Sequence, residues 1–541
     1  MAGLVTAFGS GAMTNSIPEL EDADCILVTG SNTTENHPLI GARILRAKRK
    51  GAKLIVVDPR RTHLATFADI FARPRPGTDV AWINGLMHII LVEALEDRDF
   101  ITRRTEGVEK LEERLIEYPP ERVAAISGIP AHRLHEMARL YAGADRAAIV
   151  YAMGITQHTT GTDNVLSLAN LAMLTGNVGR RSTGVNPLRG QNNVQGACDM
   201  GGLPNVLPGY QKVTDQRVLG KFATAWQAAS GLPSRPGLTL VEMVNAAAEG
   251  ALRGMFIMAE NPLLSDPDLN HVRTALGSLD FLVVQDIFLT ETAELADVVL
   301  PGSSFAERDG TVTSTDRSIQ RMRKVIEPPG NAKSDWHIIC QVAKHCGADG
   351  FEYGSPREIM AEIGSLTPIY GGITYERLER EWLRWPCKSP GDPGTEYLHR
   401  DEFARGRGLF TPVDHRGPAE EPDRQYPFVL NTGRLIFHYH TGTMTRRSPS
   451  LDREVPGGFV ELSPHDARQL KVLDGDTVRV ASRRGAIEIK VRVTQRVSRG
   501  QVFVPFHFAE SAANVLTHRR LDPVAKIPEY KICAVSIERC Q

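Results

Sequence analysis

CILVTGSNTTENHP, residues 25–38, and KLIVVDPRRT, residues 53–62, decide the fold. Each opens with a short apolar run and stops at a glycine or polar break, the pattern of a buried strand. Between the two runs, residues 37–49 carry helical spacing, with Pro38 suited to a first turn. Residues 82–95 make a third apolar segment, long enough for a helix. Alternation of strand and helix predicts a parallel sheet with helices on both faces. In such sheets ligands gather outside the carboxyl ends of the strands. Gly30, Ser31, Asn32 and Asp58 fall at those ends.

The plan recurs further along. MFIM, residues 255–258, runs into Ala-Glu-Asn-Pro, and FLVV, residues 281–284, runs into Gln285-Asp286. Asn32 and Asp58 lie 26 residues apart, Asn261 and Asp286 lie 25 apart. A Thr follows each Asp at the fourth position (Thr62, Thr290), an Ala-Asp pair ends at the eleventh (Asp69, Asp297), and a loop proline comes next (Pro74, Pro301). Matched offsets of small polar residues at strand ends predict two related halves; the competing reading is that all α/β units look alike. The expected fold is α/β, with two related doubly wound domains, residues 1–190 and 191–420, around a shared cofactor cleft. Residues 350–427, rich in Gly, Pro and charge, read as irregular surface and linker. Residues 428–431, 458–462, 477–481, 486–493 and 501–505 then read as short strands, with Arg483-Arg484-Gly485 as a hairpin turn. They predict a C-terminal β-barrel over residues 421–541.

Composition narrows the function. The 541 residues, with 42% hydrophobic and 23% charged, suit a globular chain of three or four domains. A formal net charge of -1 gives no reason to expect nucleic acid or an anionic membrane as partner. No apolar stretch approaches the roughly 20 residues of a membrane span, and residues 1–16 do not read as a signal peptide. Seven cysteines, at positions 25, 198, 340, 346, 387, 533 and 540, form no CxxC pair, so no zinc or iron–sulfur cluster is assigned to them. Reduced thiols and a cytoplasmic location are expected.

Five segments carry chemistry. In residues 29–38 a glycine permits close backbone approach, and N–H groups at a helix start attract phosphate; a merely capped helix start reads equally well. Asp58-Pro59-Arg60-Arg61-Thr62 offers an acceptor to a ribose hydroxyl or a guanine edge, or simply a turn. Gly77-Thr78-Asp79 follows a proline-rich loop and could also reach a purine base. In Met153-Gly154-Ile155-Thr156-Gln157-His158 the histidine reads as structural, and no metal is assigned. PLRGQNNVQGACDMG, residues 187–201, does not easily bury itself and so reads as lining a polar site; the planar fork of Arg189 suits a carboxylate, unless it is an ion-paired surface arginine. NTGRLIFHYHTG, residues 431–442, reads as a turn and strand with His438 and His440 on one face, compatible with a metal or with polar contacts to a cofactor.

Together, VTGSNTTENHP, VDPRRT, GITQHTTGTDNV, NPLRGQNNVQGACDMGG and NTGRLIFHYHTGTMTRRS resemble the molybdopterin-guanine-dinucleotide oxidoreductases, and among them the formate dehydrogenase alpha subunits, over essentially the whole chain. The resemblance implies a molybdenum or tungsten atom held by two pterin guanine dinucleotides, one per half, and a barrel of the double-psi type. It implies that Gly30, Ser31, Asn32, Glu35, Asp58, Arg60, Thr62 and Asp79 hold one nucleotide. Asn261, Gln285, Asp286, Arg308 and Asp335 would hold the other, with Met153 and Gln157 along the cofactor. Thr432, Gly433, Arg434, His438, His440, Thr441, Asn514 and Lys531 of the barrel would close over it, with Phe506 nearby. It further implies reversible oxidation of formate to carbon dioxide by hydride removal from the C–H bond. Arg189 would be the catalytic clamp, and electrons would leave through iron–sulfur or NAD/hydrogenase-linked partner subunits.

Members of that family also carry a four-cysteine domain with a [4Fe–4S] cluster and a Cys or selenocysteine metal ligand followed by His. Neither is found in these residues, and residues 2–16 resemble the segment that follows the ligand. The expectation is a reading frame begun at an internal start codon after a UGA codon, and no formate oxidation by this polypeptide alone. A nitrate-reductase-like enzyme and a non-catalytic cofactor-binding fragment are the competing readings; the RGQNNVQGACDMG string favours formate.

Overall fold

The computed structural model describes residues 1–228 and 231–540. They divide into two compact units. One comprises Met1–Gly190, Leu264–Asn270 and the chain from Tyr397 onward; the other comprises Gln191–Leu263 and His271–Glu396.

In the first unit β1 (Cys25–Thr29), β2 (Lys53–Val57), β3 (Ile70–Ala72), β4 (Ala147–Tyr151) and β5 (Gly184–Pro187) form a parallel sheet of order β3-β2-β1-β4-β5. The chain winds outward from β1 first in one direction and then in the other. Strand alternation gives each face its own core. Ile26, Val28, Leu54 and Val56 meet Ile40 and Ile44 of the helix Pro38–Arg49. Leu27, Ile55 and Val57 belong to a second core with helices Asp79–Val92 and Gly161–Leu174. Sheets buried on both faces read as continuous apolar runs, which is why CILVT was legible. The helix expected over 82–95 starts three residues earlier, so Asp79 occupies its first turn, where a carboxylate is favoured by the helix dipole.

In the second unit β6 (Gly254–Met258), β7 (Phe281–Asp286) and β8 (Val298–Pro301) are parallel in the order β8-β7-β6, the order of β3-β2-β1. The match extends to atoms. Asp69 accepts from the Leu54 N–H at 2.7 Å, and Asp297 accepts from the Leu282 N–H at 2.7 Å. Gly30 (φ 55°) and Ala259 (φ 53°) turn the chain left-handed after β1 and β6. Cover differs. Ile257, Leu282 and Val284 pack against Val272, Ala275 and Leu276, whereas Phe256, Met258 and Phe281 on the opposite face are 44–51% exposed.

Two readings of the sequence need correction here. The amide-rich stretch does bury itself in part: Val194–Asp199 is a helix, and Gln195 and Asp199 are fully buried. The Asp199 carboxylate accepts from Gln195 (2.8 Å), Tyr210 (2.6 Å), Tyr370 (2.6 Å) and Trp385 Nε1 (2.7 Å). Two of those donors, Tyr370 and Trp385, come from distant positions, which a local reading does not see. Residues 350–427 are likewise no simple linker. They hold the helix Pro356–Leu366 and bury Tyr370, Trp385, Cys387, Phe403 and Phe410.

The barrel belongs to the first unit. It comprises β9 (Phe428–Gly433), β10 (Phe459–Leu462), β11 (Thr477–Ala481), β12 (Ala486–Val493), β13 (Gln501–Pro505) and β14 (Cys533–Arg539), closed in the order β9-β13-β10-β12-β11-β14. The pairs β9–β13 and β10–β12 are parallel within an otherwise antiparallel closure. Closure removes sheet edges, and Leu430, Val460, Val478, Val491, Val502 and Val535 fill the interior. No strand was expected after residue 505; β14 completes the ring.

Three carboxylates from the barrel half dock onto the sheet half of this unit. Glu461 takes Arg60 in two parallel bonds of 2.7 Å. Asp522 accepts from Thr162 N and Oγ1, both at 2.8 Å. Glu529 accepts from Thr159 N and Oγ1 at 3.2 and 3.3 Å.

Candidate functional site

At the carboxyl ends of β1, β2, β4 and β5 the first unit forms a partly open cavity of about 100 Å³. One wall is made by Gly30, Asn32, Asn36, His37, Asp58, Arg60, Thr62, Asp79, Met153, Gly154, His158, Leu188 and Gly190. The other is barrel: residues 431–434, Phe503, Phe506 and Lys531. Glycine is required where β1 and β4 end. The Gly154 N–H donates to Gly30 O at 3.0 Å, and a Cβ on Gly30 would sit 2.7 Å from the Gly154 carbonyl carbon. The two loops therefore meet backbone to backbone.

Polar atoms of the wall are left over. Asn32 Oδ1 and Nδ2, Thr62 Oγ1 and Arg434 Nε are buried and have no hydrogen-bond partner. Buried polar atoms are rarely left unpaired in folded proteins, so this cradle is built for a polar ligand. The alternative of a capped helix start does not hold for Asn32, whose side chain makes no cap bond.

Electrostatics is equally unbalanced. Burial pushes the Asp58 carboxyl up to about 6, against the opposing pull of Arg60. Burial also raises Asp79, with His158 as the main opposing charge. Lys531 is driven down to about 7 by burial and by Arg434, and Arg434 itself falls to about 10 through burial. Its neighbour Phe506 lies 5.6 Å from the guanidinium carbon. Behind the wall, Glu529 stays well below the usual carboxylate range despite its burial, because His158 and His518 flank it. A cavity so furnished offers cations at Arg434 and Lys531 to an anion and acceptors at Asp58 and Asp79 to N–H or O–H donors.

Of the residues singled out from sequence, the cavity gathers Gly30, Asn32, Asp58, Arg60, Thr62, Asp79, Met153, Thr432, Gly433, Arg434, Phe506 and Lys531. Arg189 stands between two lining residues, Leu188 and Gly190, and its carbonyl accepts from His37 Nε2 at 2.6 Å. Lys531 Nζ donates to Thr432 O at 2.7 Å. The others stand apart from the lining. Ser31 Oγ shares a hydrogen bond with Thr33 Oγ1 (2.7 Å), and Glu35 pairs with Arg496 (3.1 Å). Gln157 ends a short helical turn, its N–H on Met153 O. Asn514 donates to the carbonyls of Leu264 and Ser265 at 3.1 and 2.9 Å, and Thr441 Oγ1 lies 3.0 Å from Thr443 Oγ1.

The histidine pair is a correction. β9 ends at Gly433, so His438 and His440 do not share a strand face. His438 is buried with its ring nitrogens on Thr445 Oγ1 (3.2 Å) and Val455 O (2.8 Å), and His440 adopts φ 48°. The physical cause is that the strand stops at Gly433 and the chain turns away at residues 436–437, before the histidines arrive.

In the second unit Gln285 Nε2 donates to Asp335 at 2.8 Å, and Arg308 pairs with the same carboxylate. Gln285 Oε1 is buried without a partner. Asp286 accepts from Ile287 N at 2.6 Å. Asn261, the counterpart of Asn32, is fully engaged by Thr292 Oγ1 (2.7 Å) and Glu291 (2.7 Å). The two halves share a frame but differ in which polar atoms they leave open.

Sequence reasoning missed His37, Asn36, Phe503 and the buried acids Glu461 and Glu529. Only the His37-Pro38 pair carried a local signal, since Pro38 fixes a helix start directly after the ring. Glu420, His518 and Cys533 bring three ligand-type atoms within 4.8 Å of one another, but Glu420 is already neutralised by Arg484 at 2.9 Å. Among the described residues no helix is long and apolar enough to cross a membrane.

Comparison with known proteins adds the following. Residues 4–345 match the model of the molybdopterin oxidoreductase family, and residues 428–534 match that of the molydopterin dinucleotide binding domain. The F420-dependent formate dehydrogenase subunit alpha of Methanocaldococcus jannaschii is 54% identical across 100% of this chain and 80% of its own length. Formate dehydrogenase H of Escherichia coli is 41% identical across 99% of this chain and 76% of its own. Among solved structures, acetylene hydratase from Pelobacter acetylenicus superposes with a TM-score of 0.80 at 20% identity, covering 100% of this chain and 80% of that one, a likeness of fold.

Proposed function

Since this chain belongs to the molybdopterin oxidoreductases, and within them to the formate dehydrogenase alpha subunits, we propose that it serves, as part of an assembled catalytic subunit and not by these residues alone, the reversible oxidation of formate to carbon dioxide, with Arg189 as the residue that holds the substrate. The observation that carries this reading is the cavity with its unpaired Asn32, Thr62 and Arg434 atoms, which fits the polar part of a pterin dinucleotide. Asn32, Asp58, Thr62 and Asp79 offer acceptors and donors to a ribose and base; Arg434 and Lys531 offer charge to a diphosphate. Gln285, Asp286, Arg308 and Asp335 would serve a second nucleotide. When bound, the cofactor with its molybdenum or tungsten supplies the two-electron acceptor.

The chain's own part is to bind and orient. Formate has almost no apolar surface, so charge and hydrogen bonds must hold it. A guanidinium takes both oxygens at once and thereby fixes the direction of the C–H bond. Oxidation releases two electrons and a proton. The electrons pass on to an iron–sulfur or NAD/hydrogenase-linked partner subunit, in keeping with relatives named as alpha subunits.

The test is Arg189→Lys in the metal-loaded enzyme. Pterin content should be unchanged, while kcat for formate falls along with a rise in KM. Near-normal formate kinetics in that variant would end the clamp assignment.

A further inference from the structure

We propose that His37 is a positioning residue for Arg189: its ring grips the Arg189 carbonyl and so sets where the guanidinium reaches. The inference rests on the reading of Arg189 as the carboxylate clamp.

His37 and Arg189 lie 152 residues apart, yet Nε2 stands 2.6 Å from the Arg189 carbonyl oxygen. Both ends of this bond are themselves fixed. The His37 N–H donates to Thr33 O (3.0 Å), its carbonyl accepts from Gly41 N (2.9 Å), and Pro38 locks the following turn. On the other side the Leu188 N–H donates to Tyr151 O at 2.8 Å, tying the segment to β4. Gly190 has no side chain, and the Arg434 guanidinium fills the space a Cβ would need. Arg189 is thus anchored one residue before by β4 and at its own carbonyl by His37, with the Arg434 guanidinium close against Gly190.

The chemistry of the ring agrees. Burial and the nearby Arg434 charge hold the His37 pKa below its ordinary value, against the raising effect of its bond to Arg189, and so favour the neutral ring. A neutral ring that donates through Nε2 carries a bare Nδ1, and Nδ1 is buried without a partner. Protonation would add a third cation beside Arg434 and Lys531. The first motif of the chain therefore does two things. Its backbone starts a helix at the cavity, and its histidine fixes the loop that carries the substrate cation.

Gln and Asn separate positioning from plain structure. A Gln amide nitrogen reaches about where Nε2 lies, whereas Asn falls short of the carbonyl. In the metal-loaded enzyme, His37→Gln should keep formate kinetics near the parent's. His37→Asn should lose about 100-fold in kcat/KM, with kcat falling as well as KM rising, since misplacement by ~1 Å costs that much. Pterin content should be the same in both, and the rise in melting temperature that formate produces should shrink only in His37→Asn. In an Arg189→Lys background His37→Asn should cost nothing more, because both act through one group. Parent-like kinetics in His37→Asn, equal losses in the two variants, or additive losses in the double variant would each overturn the proposal. If Arg189→Lys alone proves normal, the underlying clamp reading fails instead. If Arg189→Lys is impaired and His37→Asn is not, only the role of His37 falls.

Discussion

Asp58 ends β2 with a carboxyl that the folded chain holds at about 6, above its ordinary 3.8. Its proton is kept longer in the folded state than in the unfolded one. The cost of ionising it therefore sets in as pH rises from 3.8 to about 6 and is constant above that. Asp58→Asn should raise the melting temperature of the ligand-free protein at pH 7, and the gain should fade as pH falls through that window. The same variant should retain less pterin, measured by fluorescence after oxidative release. Lys531 is the mirror case. Its pKa drops from 10.5 to about 7, so the unfolded chain takes up the proton first and stability is lost as pH falls across that range. Lys531→Met should stabilise the ligand-free protein most below pH 7, with the gain vanishing near pH 10.5. A melting curve that ignores pH in both variants would mean that water solvates these groups in place. Both residues cost the ligand-free fold stability, which is what their proposed role in holding a ligand would entail.

The barrel and the sheet are joined by acids whose partners are far away in sequence. Arg60 is the plainest example. Its position after β2 makes it look like a ligand residue, yet its guanidinium takes Glu461, 401 residues later, and lies 4.0 Å over the Phe503 ring. Glu461 is fully buried. Glu461→Gln should cost about 3–5 kcal/mol in denaturant unfolding, because a buried cation is left without its counter-charge. The double variant Arg60→Met, Glu461→Leu should recover most of that loss. A single variant that unfolds like the parent would show that Arg60 finds water instead.

Legibility followed the range of the contacts. β1, β2, β6 and β7 were readable because a buried parallel strand is a local pattern, and the repeat was readable because Asp69 and Asp297 tie the same neighbouring strand residues. Barrel strands β11 and β12 alternate clearly, whereas β14 needed its partners β9 and β11 to be recognised. His438 and His440 were misplaced because a turn after Gly433 overrides the apparent strand. Asp199 was hidden for the opposite reason. In sequence it sits among amides and glycines, while its four donors include Tyr370 and Trp385, 171 and 186 residues away.

At the scale of the whole molecule, Asp199 and the barrel acids hold separate units. Asp199→Ala strands two hydroxyls, an indole N–H and an amide inside the second unit. It should cost about 3 kcal/mol or more there. Limited proteolysis should then open sites within residues 191–263 and 271–396 while the first unit stays resistant. Cleavage spread evenly over both would mean that the two unfold together.

The cavity wall also has a history, because a chain is made from one end to the other. Gly30, Asp58, Asp79 and Met153 leave the ribosome early and can fold as a sheet with local contacts. The facing wall, residues 431–434, Phe503, Phe506 and Lys531, arrives late, and β14 closes the barrel only after Lys531 has emerged. At a synthesis rate of about 5–20 residues per second, the roughly 350 residues between Met153 and Phe503 occupy tens of seconds. For that interval the sheet side of the cavity stands without its facing wall, so the cavity is completed only when the last strand of the barrel is in place.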